Sequence, residues 1–161
     1  MLEAVLADCP DKRVQLSLIE QELPIPSYTI NTVEALIEQY GRHRYFLIIG
    51  ADSLLDLPHW HRAADLLSLV NLIVVKRDTL EAAAMHQAIN SLDPSFTFDQ
   101  RQGLWIGKNG VTVECFSDVE LPVSSSAIRD TLLRGEVPAM LPPTVFAYIQ
   151  EHNLYGWRPS P

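Results

Sequence analysis

Cysteine is scarce in this chain. Cys9 and Cys115 are its only two, far apart and with no CxxC spacing, which excludes a disulfide scaffold and suits a reducing compartment. The cytoplasm is the expected location. Long apolar runs are missing too: none approaches the ~20 residues of a membrane span, and the opening Met1-Leu2-Glu3-Ala4-Val5 lacks the basic start of a signal peptide. Positive charge is in deficit. Twelve Lys and Arg against twenty Asp and Glu give a net charge of −8, so no general field draws in nucleic acid or an anionic membrane surface, and any anion site has to be local. No repeat, linker or low-complexity segment divides the sequence. What is present is a core-forming composition, 47% apolar and 20% charged over 161 residues, as expected of one globular domain spanning 1–161.

Met1 to Asp8 puts Leu2, Val5 and Leu6 on one helical face and stops before Pro10. Val14, Leu16 and Leu18 alternate with Gln15 and Ser17, which predicts a short strand before the loop Leu23-Pro24-Ile25-Pro26. Ile30, Val33, Leu36, Ile37 and Tyr40 then recur at helical spacing, with Thr29 or Asn31 as cap and Gly41 at the end. The run Tyr45-Phe46-Leu47-Ile48-Ile49, closing at Gly50, predicts a strand buried on both faces of a parallel sheet, with ligands outside its carboxyl end. Leu72 to Val75 predicts a second such strand, after helical patches at Leu54-Leu55 and 63–69, and leads through Lys76-Arg77 to a helix from Leu80 to Ile89. Ser91 to Gly110 is the least legible stretch, although Asn109-Gly110 can turn a hairpin into a strand from Val111 to Phe116. Ser124 to Leu133 reads as a helix followed by Gly135, and Pro142-Pro143 opens a last helix through Ile149 that finishes near Asn153. Strands alternating with helices predict an α/β fold with a mainly parallel sheet.

Three constellations can carry chemistry. Val123-Ser124-Ser125-Ser126-Ala127-Ile128-Arg129 sets hydroxyls, free N–H groups and a guanidinium at one helix start, which suits an oligophosphate and equally describes a plain Ser N-cap with a solvated Arg. Ile49-Gly50-Ala51-Asp52-Ser53 lies where a strand gives way to a helix. Gly50 there lets backbone approach a ligand and Asp52 can accept from a ribose hydroxyl, or Asp52 simply caps the helix. In Pro58-His59-Trp60-His61 the indole offers a face to a flat ring, or packs as an amphipathic core residue. His59 and His61 have no third ligand of clear identity nearby, so a zinc site is set aside. Ser27-Tyr28-Thr29 by itself is a helix cap.

Taken together, these segments resemble the bacterial nicotinate-nucleotide adenylyltransferase family. Ser27-Tyr28-Thr29-Ile30-Asn31-Thr32 is similar to its SYTxxT segment, with Asn for the usual Asp. Ile48-Ile49-Gly50-Ala51-Asp52-Ser53 through Trp60 is similar to its IIGADS…W segment, and Val123 to Arg129 to its ISSTxIR segment, with Ser126 for Thr. Ala147-Tyr148-Ile149 with Leu154-Tyr155 is similar to its YI…LY ending. The resemblance implies a Rossmann-like nucleotidyltransferase fold and adenylyl transfer from ATP to nicotinate mononucleotide, giving deamido-NAD and pyrophosphate. It implies that Trp60 stacks on the nicotinate ring, Thr29 and the backbone at His61 hold the ring carboxylate, and Asp52 with Gly50 meets a ribose. Ser124, Ser125 and Arg129 would grip the ATP phosphates, Arg129 as the catalytic charge, with Mg²⁺ shielding them.

One departure is large. The family opens with a strand carrying GxFDPxHxGH and continues with a PPHK segment, and neither motif occurs here: His43, His59, His61, His86 and His152 never form HxGH. The expectation is a chain corresponding to the C-terminal two-thirds of the enzyme, without turnover on its own, and prone to self-association through the edge of the Tyr45–Ile49 strand. A pantetheine-phosphate type of nucleotidyltransferase also tolerates a triple serine, but Thr29 and Trp60 suit a flat anionic ring better than a flexible thiol arm. A non-catalytic nucleotide-binding fragment, or half of a two-chain assembly, is the reading from outside the enzymes.

Overall fold

A computed structural model describes residues 1–75, 82–116 and 124–158. Along the chain these form helix α1 (Leu2–Ala7), α2 (Thr29–Tyr40), strand β1 (Tyr45–Gly50), α3 (Ala51–Asp56), α4 (Ala63–Leu69), β2 (Val70–Val75) and α5 (Ala82–Leu92). Strands β3 (Thr97–Asp99), β4 (Leu104–Ile106) and β5 (Thr112–Phe116) follow, then α6 (Ser125–Leu133) and α7 (Pro143–Glu151). Lys76-Arg77, the start of the helix expected from Leu80, and Val123 lie outside the described residues. The chain divides into two compact units, 19–121 and the pairing of 1–18 with 122–161.

The unit 19–121 holds a sheet in the order β1-β2-β5-β4-β3. β1, β2 and β5 are parallel, and the β3–β4–β5 meander extends them antiparallel. The α/β architecture with a parallel core is therefore present, a Rossmann-like arrangement. The stretch that was hard to read supplies the meander. Gly110, at φ +73°, closes the Gly107–Gly110 turn through its N–H to the Gly107 carbonyl at 3.0 Å, the hairpin that Asn109-Gly110 predicts. β2 is buried along almost its whole length, with Val70, Leu72 and Val74 in the core beside Ile30, Leu54, Leu66 and Val113.

Two expectations fail here for one physical reason. β1 is an edge strand and is not buried on both faces: Tyr45, Leu47 and Ile49 turn to the core, while Phe46 is 47% and Ile48 66% exposed. An apolar run shows that a strand avoids water but not how many of its faces another element covers. Segment 14–18 is not a strand either; it stays irregular, with Val14 and Leu18 half exposed, because alternation alone provides no partner for the ladder. A third difference is smaller. The N-cap of α2 is Tyr28, whose carbonyl accepts from the N–H groups of Asn31 and Thr32, so neither Thr29 nor Asn31 caps it.

One buried polar residue ties the three parallel strands together. Asn71, 8% exposed in β2, donates through Nδ2 to the Tyr45 carbonyl at 3.1 Å. Its Oδ1 accepts from the Thr112 N–H and the Thr112 hydroxyl, each at 3.0 Å. Asn71→Ala would leave those groups unpaired in a partly buried place, so a loss of about 1 to 3 kcal/mol is expected in urea unfolding. An unchanged midpoint would show that water replaces the amide.

In the second unit, Leu132 of α6 and Val145 and Ile149 of α7 form a small core, flanked by Ile128, Leu141, Phe146, Leu154 and Trp157. α1 packs on α7. α7 starts at Pro143 as predicted and ends at Glu151, with Asn153 beyond it in a left-handed conformation. α6 also starts as predicted, capped by Ser124.

Candidate active site

The peptide that runs from α3 to α4 brings its exposed end beside the start of α2. Leu57, fully buried, anchors it below, and the Trp60 N–H donates to the Leu57 carbonyl at 3.0 Å, closing a single 3-10 turn over Leu57–His59. Trp60 is half-buried against the core. Ser27, Tyr28 and Thr29 from one side, and His59, Trp60 and His61 from the other, line a cavity of about 290 Å³. The rings of Tyr28 and His61 stack across it at 4.2 Å and 25°.

The chemistry of this cavity follows from what is left free. Because Tyr28 rather than Thr29 is the N-cap of α2, the Thr29 hydroxyl is not spent on capping. Among the described residues, neither that hydroxyl nor the His61 N–H has a hydrogen-bond partner. The cavity lies at the first turn of a 12-residue helix, where the helix dipole favours negative charge. An indole face, a free hydroxyl, a free N–H and a positive helix end suit a flat ring bearing an anionic group.

Gly50 and Asp52 stand at the carboxyl end of β1 and do not line that cavity. Gly50, not Asp52, is the N-cap of α3. Asp52 sits exposed in the first turn, with its carboxylate folded back over Gly50, where any Cβ would collide with Oδ1. Gly50→Ala is thus expected to push the carboxylate aside and weaken any hydroxyl ligand of Asp52 severalfold, with little change in Tm. The Kd of a ribonucleotide measured by calorimetry checks this.

At the start of α6, the Ser124 hydroxyl oxygen accepts from the Ala127 N–H at 3.1 Å. The plain capping role is therefore filled, while the N–H groups of Ser125 and Ser126 stay without partners among the described residues. Arg129 lies exposed one turn along, and its Nη2 donates to the Ser126 hydroxyl at 3.4 Å. Ser124 borders a groove of about 170 Å³ with Ala127, Ile128, Thr131 and 137–140; Ser125 and Arg129 lie outside it. Among the described residues no three His, Cys, Asp or Glu side chains gather to hold a metal ion.

Tyr28 stands in the sequence within a cap and within the SYTxxT-like segment, with no role of its own, and its stack on His61 joins residues remote in sequence. No protein-family model matches the chain. Individual relatives do. It is 34% identical over 152 residues to a Gloeobacter violaceus protein named "probable nicotinate-nucleotide adenylyltransferase", covering 93% of this chain and 67% of the relative. It is 35% identical over 157 residues to a Bacillus pumilus protein of the same name, covering 96% and 68%. The chain belongs to the nicotinate-nucleotide adenylyltransferase family. That is a family of transferases, as the four motifs imply. A third member, from Geobacillus kaustophilus, is 32% identical over 98% of this chain, which spans 61% of that relative's length. Among the described residues no helix is long and apolar enough to cross a membrane.

Proposed function

We propose that this chain carries a pyridine-nucleotide pocket in the unit 19–121 and a phosphate-gripping helix in the unit of 1–18 with 122–161, as parts of one nucleotidyltransferase domain. The observation that carries the reading is the cavity between Thr29 and Trp60. The nicotinate ring of nicotinate mononucleotide lies on Trp60, and its carboxylate accepts from the Thr29 hydroxyl and the His61 N–H at the positive end of α2. Asp52, beside Gly50, accepts from a ribose hydroxyl. In the reaction, a phosphate oxygen of nicotinate mononucleotide forms a bond to the α-phosphorus of ATP while the bond from that phosphorus to the bridging oxygen breaks. Deamido-NAD forms and pyrophosphate leaves, with no protein nucleophile.

The chain's own work is positioning and charge stabilisation. Ser124, Ser125 and the free N–H groups of α6 hold phosphate oxygens, and Arg129 meets the charge that builds up on them. Mg²⁺ would neutralise the triphosphate as part of the incoming nucleotide. Such a reaction on soluble nucleotides belongs to the cytoplasm and calls for neither nucleic acid nor membrane.

The test is binding of nicotinate mononucleotide against nicotinamide mononucleotide, measured by calorimetry on the chain. A carboxylate that satisfies the free donors, set against an amide that does so only in part, should differ by about 1 to 3 kcal/mol, roughly five- to a hundredfold. Equal affinity would remove the assignment of Thr29 and His61.

A further inference from the structure

Trp60 and His61 have to be held in one place by a peptide that is short and, after its 3-10 turn, irregular. The residue that ends it is unusual. Arg62 is in the left-handed region, φ 53° and ψ 42°, a conformation that costs a residue with a side chain. Its side chain makes no capping bond to the backbone of α4 and meets that helix only through Asp65 in the first turn. The fork of the guanidinium reaches to α2. Nη1 donates to Glu34 Oε2 at 3.0 Å and Nη2 to Glu34 Oε1 at 2.8 Å, fork against fork, while Nε donates to Asp65 Oδ2 at 2.7 Å. Glu34 first, and then Asp65, hold the cation more firmly protonated than a free arginine.

The residue directly after His61 is thereby fastened to the helix that begins with Thr29. The stack of Tyr28 on His61 is a second tie, at the helix start. Between the two ties lie the half-buried Trp60 and the Thr29 hydroxyl. Exposed ion pairs contribute little to stability, whereas a bidentate pair fixes orientation. Both partners are about two-fifths exposed, so placement rather than stability is what the pair provides.

Resting on the assignment of this cavity to nicotinate mononucleotide, we propose that Arg62, acting through Glu34, is a positioning residue that holds the Trp60-His61 peptide against the start of α2. It sets the affinity and ring selectivity of the pocket without touching the ligand.

The test combines a ligand-free and a ligand-bound readout on the chain. Glu34→Ala, on α2 and remote in sequence from the loop, should shift the Trp60 indole and His61 amide resonances while leaving those of β2 and β5 in place. Arg62→Gly keeps the left-handed backbone at no cost but loses the clamp. It should weaken nicotinate mononucleotide binding about tenfold, leave ATP binding unchanged, and narrow the preference over nicotinamide mononucleotide. Arg62→Lys, a point charge in place of a fork, should restore only part of the affinity. The double variant Arg62→Gly/Glu34→Ala should be no weaker than Arg62→Gly alone, since the two act as one unit. Unmoved Trp60 and His61 resonances in Glu34→Ala, or Arg62→Gly binding like the unaltered chain, would overturn the clamp. Should the unaltered chain not bind nicotinate mononucleotide, the assigned ligand fails, and the resonances alone decide the clamp.

Discussion

Replacing Arg129 by Ala is expected to weaken ATP binding by about ten- to a hundredfold. The guanidinium stands one turn inside α6, on the same end of the helix as the free N–H groups of Ser125 and Ser126. It has no carboxylate partner among the described residues, only the long bond to Ser126. A charge-assisted bond to phosphate is worth about 1.5 to 3 kcal/mol, which is that range of affinity. Because Arg129 is exposed and lies outside the Leu132–Val145–Ile149 core, its loss should leave the melting temperature unchanged. Calorimetric titration with ATP and with pyrophosphate checks both ligand and fold. An unchanged Kd would mean that the Ser124 cap is all this helix start provides.

The second large effect concerns the sheet edge. Among the described residues β1 pairs with β2 alone, and its six residues, Tyr45 to Gly50, include neither a charge nor a proline. Among the described residues Phe46 and Ile48 present an apolar face to solvent, with the Arg44 guanidinium lying 5.2 Å over the Phe46 ring. Such an edge is a template for another strand, and proteins blunt theirs with lysine, proline or a bulge. The 161-residue chain is expected to sizes above a monomer in light scattering, and Ile48→Lys to return it to the monomer without loss of secondary structure. The same preparation, given ATP, nicotinate mononucleotide and Mg²⁺, is expected to release no pyrophosphate, since the chain has no HxGH motif. A monodisperse monomer before the substitution would sink the edge argument, and enzyme-like turnover would show that the Ser124 helix and Arg129 suffice for the chemistry.

Local chemistry was largely legible where a few neighbouring residues decide the outcome, the caps of α2 and α3 excepted, which fall to Tyr28 and Gly50. The periodicity of Ile30, Val33 and Ile37 predicts α2, Gly110 the hairpin turn, Ser124 the cap of α6 and Pro143 the start of α7. Trp60 is a candidate from its segment alone, because an indole is recognisable wherever it stands, whereas Thr29 becomes one only through the family resemblance, its own segment reading as a cap. What no window of sequence contains is a partner dozens of residues away. The alternation at Val14 to Leu18 looks the same with or without a neighbouring strand, and the run Tyr45 to Ile49 looks the same with one face covered as with two. The Tyr28–His61 stack and the Glu34–Arg62 fork unite α2 with a loop beyond the first strand, so tertiary packing alone created them. Periodicity and turn chemistry are short-range and were determined by the sequence by itself; coverage of a face, pairing of an edge and closure of a pocket depend on long-range contacts, and only the tertiary structure decided them.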